Sequence, residues 1–138
     1  DLVLSLVGSE MCIRDSTYSA HPVACAAGIA ALELLEREQL PQRVATLAPY
    51  FEEGLHQLRE APHVADIRNF GFAGALQLAP HPGEPARRPF EVAMRMWEKG
   101  FYVRYGGDTI QLGLPFIIER GEIDTLLAAL GETLIELA

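Results

Sequence analysis

Apolar residues recur at three- and four-residue intervals in four stretches of the chain, the spacing that is typical of helices. The first stretch, Pro22–Glu38, starts with a proline suited to a first helical turn and is apolar on almost every side. It predicts a buried core helix, which is also compatible with a subunit contact. The second stretch, about Pro41–Glu60, contains Pro49, which can kink a helix. The third and fourth are Phe90–Lys99 and Glu122–Leu137.

The same pattern predicts which side chains form the core. Cys25, which has no basic neighbour in the sequence, is expected to be a small core residue rather than a nucleophile. The predicted core positions of the other helices are Val44, Leu47, Phe51, Leu55 and Leu58 in the second, Phe90, Met94, Met96 and Trp97 in the third, and Ile123, Leu126, Leu127, Leu130 and Leu134 in the fourth.

Short stretches with alternating apolar residues predict strands between these helices. Val64–Asn69 and Ala75–Ala79 form one pair, and Phe101–Tyr105 and Thr109–Gly113 form a hairpin across a glycine-rich turn. Pro80–Pro89 holds four prolines and is predicted to be an exposed loop. The element order predicts an α+β fold, in which a small antiparallel-rich sheet has helices packed on it.

Composition narrows the class of protein. The chain has 138 residues, a formal net charge of −8 and a single lysine, Lys99, which argues against a nucleic-acid or anionic-membrane surface. No apolar run reaches the roughly 18 residues that span a bilayer. Two cysteines make no disulfide framework and fit a reducing cytosol, so a cytoplasmic location is expected.

The first sixteen residues differ in character from the rest. Leu6–Ser16 resembles the one-frame translation of a transposon-end adapter used in sequencing libraries. Residues 1–16 are therefore expected to lie outside the fold, and an upstream portion of the protein is expected to be missing. The alternative is a native strand within Leu2–Val7.

No self-contained catalytic set or metal site is visible, because the four histidines lack metal-ligand spacing. Two places could carry chemistry. Thr17–Pro22 puts hydroxyls before a helix N-terminus, where they could bind a phosphate or simply cap the helix. Arg104 lies in a predicted strand beside the flexible Gly106–Gly107 turn. It could hold a carboxylate with two hydrogen bonds, or be an ordinary exposed sheet arginine.

Three segments carry a family resemblance. Thr17-Tyr18-Ser19-Ala20-His21-Pro22-Val23-Ala24-Cys25-Ala26-Ala27 resembles the T-[FY]-x-x-[NH]-P-[LV]-A-x-A-A segment of class III, pyridoxal-phosphate-dependent aminotransferases. Asp66–Ala75 is similar to the family's glycine-bearing strand and turn. Arg88–Gln111 is similar to the β-alanine–pyruvate transaminase pattern, and His21-Pro22 also favours this ω-amino acid branch over acetylornithine or 4-aminobutyrate aminotransferases.

The resemblance implies a fold-type I enzyme of which this chain is the C-terminal fragment. Residues 17–40 would end the large domain and form a connecting helix, and residues 41–138 would be the C-terminal small domain, α+β within an α/β parent. Thr17 would bind the phosphate of pyridoxal 5′-phosphate held by the partner subunit of a homodimer or a dimer of dimers. Arg104 would receive the substrate carboxylate, and it would swing away when the substrate is an amine or an ω-amino acid.

The resemblance also implies what this chain lacks. The lysine that forms a Schiff base lies upstream of the threonine in the family, whereas Lys99 looks like a helix C-terminal charge. The chain therefore has no catalytic residue of its own, and the fragment is expected to be inactive without the rest of the enzyme, which would use an amino donor and pyruvate. The alternative from another class is an independent small α+β domain that binds an anionic metabolite at Arg104.

Overall fold

The computed structural model describes residues 21–138. Thr17 and the predicted non-native segment 1–16 lie outside the described residues. The described chain falls into two units, a first that contains helix α1 (Pro22–Arg37) and a second formed by Gln39–Ala138.

Helix α1 corrects the prediction of a buried core helix, because none of its residues is buried and Cys25 is exposed. Small and apolar residues on every side indicate a helix that is suited to burial. They do not indicate whether the surface that buries it belongs to the same stretch of chain.

The second unit is an α+β layer, which confirms the predicted fold class. Its elements, in chain order, are α2 (Leu40–His56), a 3₁₀ turn (Gln57–Glu60), β1 (Val64–Phe70), β2 (Ala73–Leu78), α3 (Arg87–Glu98), β3 (Arg104–Gly106), β4 (Thr109–Gly113) and α4 (Arg120–Glu136). The strands form one sheet in the order β1-β2-β4-β3, and every neighbouring pair is antiparallel.

Glycine makes both tight turns of the sheet possible. Phe70 pairs with Ala73 and Gly106 pairs with Thr109, so each hairpin closes over two residues. The first of these two residues is Gly71 in one turn and Gly107 in the other, with φ of 56° and 59°. Side chains rarely adopt this left-handed backbone, which explains why glycine punctuates both hairpins.

The core lies between one face of the sheet and helices α2, α3 and α4. Phe51 and Leu55 of α2 are fully buried, and the Phe51 ring meets the Phe72 ring edge to face at 6.5 Å between centroids. Gly74 lies under them: a Cβ there would stand 2.9 Å from Leu55 Cδ2 and 3.0 Å from Phe51 Cζ. Of the predicted core positions, Leu47, Phe51, Leu55, Met96, Ile123, Leu126, Leu127, Leu130 and Leu134 are confirmed as buried.

The third helix differs from its prediction in start and orientation. It begins at Arg87, inside the predicted loop, because proline is tolerated in a first helical turn and Pro89 occupies the third helical position. The face with Pro89, Val92, Ala93 and Met96 is the buried one. Phe90, Met94 and Trp97 are 47%, 43% and 63% exposed, so the prediction that they belong to the core is wrong.

Three other boundaries shift. The predicted strand Phe101–Tyr105 is reduced to β3, because the Phe101 N–H still bonds to the carbonyl of Met96 at the helix end (2.8 Å). The second helix ends as an α-helix at His56, and it continues through Pro49 without a break. Strand β2 begins two residues before its predicted start.

Candidate functional site

Within the second unit, helices α2, α3 and α4 pack against one face of the four-stranded sheet, and the other face carries none of them. Alternation places Ile67, Leu76 and Ile110 on the buried face, and the residues between them on the opposite, outer face. The outer face is therefore the surface on which this unit can present polar groups to a ligand.

One cross-strand row on the outer face contains Arg104. The register pairs Arg104 with Gln111, Gln111 with Ala75, and Ala75 with Arg68, so the row starts and ends with an arginine. An open groove of about 470 Å³ runs along this face, with Ala73 and Ala75 in its floor. Arg68, Gln111 and Thr109 are among its other lining residues, and Arg104 adjoins the groove beside Gln111.

Arg104 is exposed and lacks a partner among residues 21–138: no hydrogen bond, ion pair or aromatic contact engages its guanidinium there. Arg68, at the other end of the row, pairs with Asp66 at 3.5 Å. Arg43 pairs with Glu119 at 3.1 Å. An arginine with all of its donors free can bind an external carboxylate without first breaking an internal ion pair.

The turn that follows Arg104 is held in place. The Asp108 carbonyl accepts the Leu78 N–H at 2.8 Å, and its carboxylate accepts the Gln77 amide at 2.8 Å and the Thr109 hydroxyl at 2.9 Å. These hydrogen bonds, first that from Gln77 and then that from Thr109, lower the pKa of Asp108, and Arg68 adds to the shift. The sequence predicts a flexible Gly106–Gly107 turn, whereas the structure ties this turn to β2.

Lys99 is engaged in the fold. It caps the C-terminal end of α3, and its ammonium lies 3.0 Å from Glu136 and 3.4 Å from Glu132 of α4. The Glu136 hydrogen bond is the main reason why the pKa of Lys99 is raised. A protonated, ion-paired amine is a poor nucleophile, in agreement with its predicted role as a helix C-terminal charge.

The described histidines do not form a metal site, and no group of three potential ligands converges anywhere in residues 21–138. His56 has both ring nitrogens engaged, with Asn69 at 2.9 Å and Arg59 at 3.1 Å. A second groove of about 580 Å³ lies beside α3, and its lining includes Arg87, which pairs with both Glu84 and Glu91. The outer sheet face is the better candidate because Arg104, unlike Arg68 and Arg87, has no partner within residues 21–138.

The sequence did not predict the hydrogen bond from Gln77 to Asp108. The Gly-Asp-Thr order after β3 is a usable signal, because aspartate in a turn often accepts nearby hydrogen bonds. Its partner Gln77 lies 31 positions earlier, and only the sheet register brings the two together.

Comparison with known proteins defines the class. The family described as aminotransferase class-III matches residues 4–134, and the chain therefore belongs to this family. Solved structures share the fold: a PMP-bound aminotransferase from Vibrio fluvialis matches with a TM-score of 0.82 and 27% identity over 99% of this chain and 31% of its own. An amine transaminase from an uncultivated Pseudomonas species in the PLP-bound form gives 0.82 and 32%, over 94% of this chain and 31% of its own.

Curated relatives point to one branch of the family. The chain is 58% identical to the beta-alanine--pyruvate aminotransferase of Pseudomonas aeruginosa over 118 residues, or 86% of this chain and 26% of that protein. It is 56% identical to the omega-amino acid--pyruvate aminotransferase of Pseudomonas putida over 88% of this chain and 27% of that protein. The chain thus spans about a quarter of the length of these relatives.

Within residues 21–138, no helix has the length and apolar character needed to cross a bilayer.

Proposed function

We propose that this chain is the C-terminal part of an aminotransferase that moves an amino group from β-alanine or a related ω-amino acid to pyruvate. The proposal is supported by membership of the class III family and by the names of the two Pseudomonas relatives above. Both argue against the alternative of a free-standing metabolite-binding domain. The observation that carries the substrate assignment is the Arg104 guanidinium on the outer sheet face, which no group in the described part of the chain engages.

Arg104 is the group that we assign to the substrate carboxylate. A guanidinium presents its donors in a planar fork that matches the two oxygens of a carboxylate. The exposed position also lets the side chain turn away when the reacting amine carries no carboxylate at that end. Arg104 would thus bind and orient the substrate without taking part in bond making or breaking.

Family membership assigns pyridoxal 5′-phosphate as the cofactor. When bound, this cofactor acts as an electron sink for the carbon that carries the amino group. The described residues do not fit a complete cofactor site, because their one lysine is paired with Glu132 and Glu136. We therefore assign no catalytic residue to them. We propose that Thr17 binds the phosphate of the cofactor held by the partner subunit. The intact enzyme would be a homodimer or a dimer of such dimers, and it would be located in the cytoplasm.

The test uses a full-length enzyme in which residues 39–138 replace the matching segment of the Pseudomonas aeruginosa relative. Arg104→Ala is expected to slow the half-reaction with pyruvate roughly 30- to 150-fold, the value of a charge-assisted bidentate contact. The half-reaction with an amine donor that lacks a carboxylate should change far less. Arg104→Lys should rescue poorly, because an ammonium cannot reproduce the fork.

Arg68→Ala is the matched control. Arg68 lies in the same cross-strand row and is also exposed, but it pairs with Asp66. Single-turnover kinetics of both half-reactions distinguish the two roles. Equal losses in the two half-reactions of Arg104→Ala, or equal effects of the two alanine variants, would contradict the carboxylate assignment.

A further inference from the structure

Arg104 is attached to the sheet by few contacts. Its strand, β3, has three residues and lies at the edge of the sheet that residues 21–138 form, where it pairs with β4 on one side. The turn that joins β3 to β4 contains Gly107 at positive φ, and a Cβ there would meet nothing within 4 Å. Val103, just before the strand, is buried, and the Tyr105 ring meets the Phe90 ring edge to face. The open glycine turn beyond the strand has no such packing to hold it in one place.

Asp108 restrains the turn between β3 and β4. Its carboxylate and carbonyl both accept hydrogen bonds from β2, through the Gln77 amide and the Leu78 N–H, each at 2.8 Å. The Gln77 contact is partly buried, which protects it from competition with water. These bonds therefore join the tip of the β3–β4 hairpin to β2, a central strand whose Leu76 and Leu78 are buried in the core.

From this geometry we infer that Asp108 and Gln77 are positioning residues for Arg104, which keep its strand fixed so that only the Arg104 side chain moves between substrates. The inference rests on the proposed role of Arg104 in binding a carboxylate. It adds that the arginine is pre-organised by a hydrogen-bonded turn, and pre-organisation reduces the conformational entropy lost on binding. Neither Asp108 nor Gln77 needs to touch the substrate.

The first test uses the 138-residue chain and hydrogen exchange at the Leu78 amide, whose proton is bonded to Asp108. Asp108→Ala removes the carboxylate, and Gln77→Glu places two carboxylates against each other. Both should speed exchange at Leu78 more than at Leu76 in the sheet centre. The double variant Gln77→Glu/Asp108→Asn restores a carboxylate–amide pair with its polarity reversed, so it should recover protection. Unchanged exchange in both single variants would overturn the inference.

The second test uses the full-length chimera described above. Asp108→Ala and Gln77→Glu should raise KM for pyruvate roughly 10-fold, the cost of a lost charged hydrogen bond or a small misplacement. KM for an aldehyde acceptor should stay within about 2-fold of the parent value, since an aldehyde has no carboxylate for Arg104 to bind. The double variant should return KM for pyruvate toward that of the parent chimera.

Asp124→Ala is the matched control. It removes an aspartate that accepts a hydrogen bond from Tyr50 at 2.6 Å, on helix α4. If Asp108→Ala behaves like this control, or raises KM equally for both acceptors, Asp108 has only a structural role and the inference is wrong. If Arg104→Ala impairs the half-reactions with and without a carboxylate substrate equally, the proposed function fails first. If Arg104→Ala impairs only the reaction of carboxylate substrates while the Asp108 and Gln77 variants behave like the parent chimera, the inference is wrong and the proposed function stands.

Discussion

Gly74→Ala tests how closely α2 packs on the sheet. The new methyl would lie 2.9 Å from Leu55 Cδ2, a distance that real Cβ atoms essentially never show, and 3.0 Å from Phe51 Cζ, which is tighter than nine in ten real contacts. Both neighbours are 0% exposed, so neither can move out into solvent. Overpacking a tight core in this way costs about 1–3 kcal/mol.

Gly113→Ala is the matched control on the neighbouring strand. A Cβ at Gly113 meets nothing within 4 Å, and neither glycine adopts a positive φ. The two substitutions reduce the conformational entropy of the unfolded chain equally. The difference between them therefore isolates packing, and Gly74→Ala should be less stable than Gly113→Ala by about 1–3 kcal/mol.

The assay is urea unfolding of the 138-residue chain, compared at unchanged m-value. The Leu55→Ala background adds a stricter test, because it removes the atom that the new methyl would strike. Gly74→Ala should cost less there than in the parent chain, with a coupling of at least about 0.5 kcal/mol. Equal stability of the two glycine variants, or strict additivity with Leu55→Ala, would refute the packing argument.

Two further predictions concern charge. Because its pKa is lowered in the fold, Asp108 stabilises the protein above its unfolded pKa near 3.9, and this contribution is lost as pH falls through the native value. Wild type should thus exceed Asp108→Asn in unfolding free energy at pH 7, and the gap should close in acid; a gap that is constant down to pH 2 would contradict this reasoning. Lys99, with a raised pKa and two glutamate partners, should resist modification by pyridoxal phosphate. After borohydride reduction, mass spectrometry of the chain should find no preference for Lys99 over the N-terminal amine, and preferential labelling of Lys99 would show that its ion pairs do not protect it.

The sequence by itself determined the element types, most of the core and the two glycine turns. Leu47, Phe51 and Leu55 follow helical spacing, and the last helix buries the residues that its pattern predicts, because periodicity is a local property. The glycines of the two hairpins are readable for the same reason: a positive φ is demanded by the turn itself. Arg104 could also be predicted as a candidate site residue, because its strand and the neighbouring glycines are contiguous in the chain.

Tertiary structure alone decided which apolar faces are covered and which polar groups meet. Helix α3 carries two apolar stripes, and the one that includes Phe90 and Trp97 is exposed because the sheet packs against the other. Arg104 and Arg68 share one row, and Asp108 reaches Gln77, only because antiparallel register brings distant positions side by side. Register and choice of face depend on contacts between elements, and no local pattern contains those contacts.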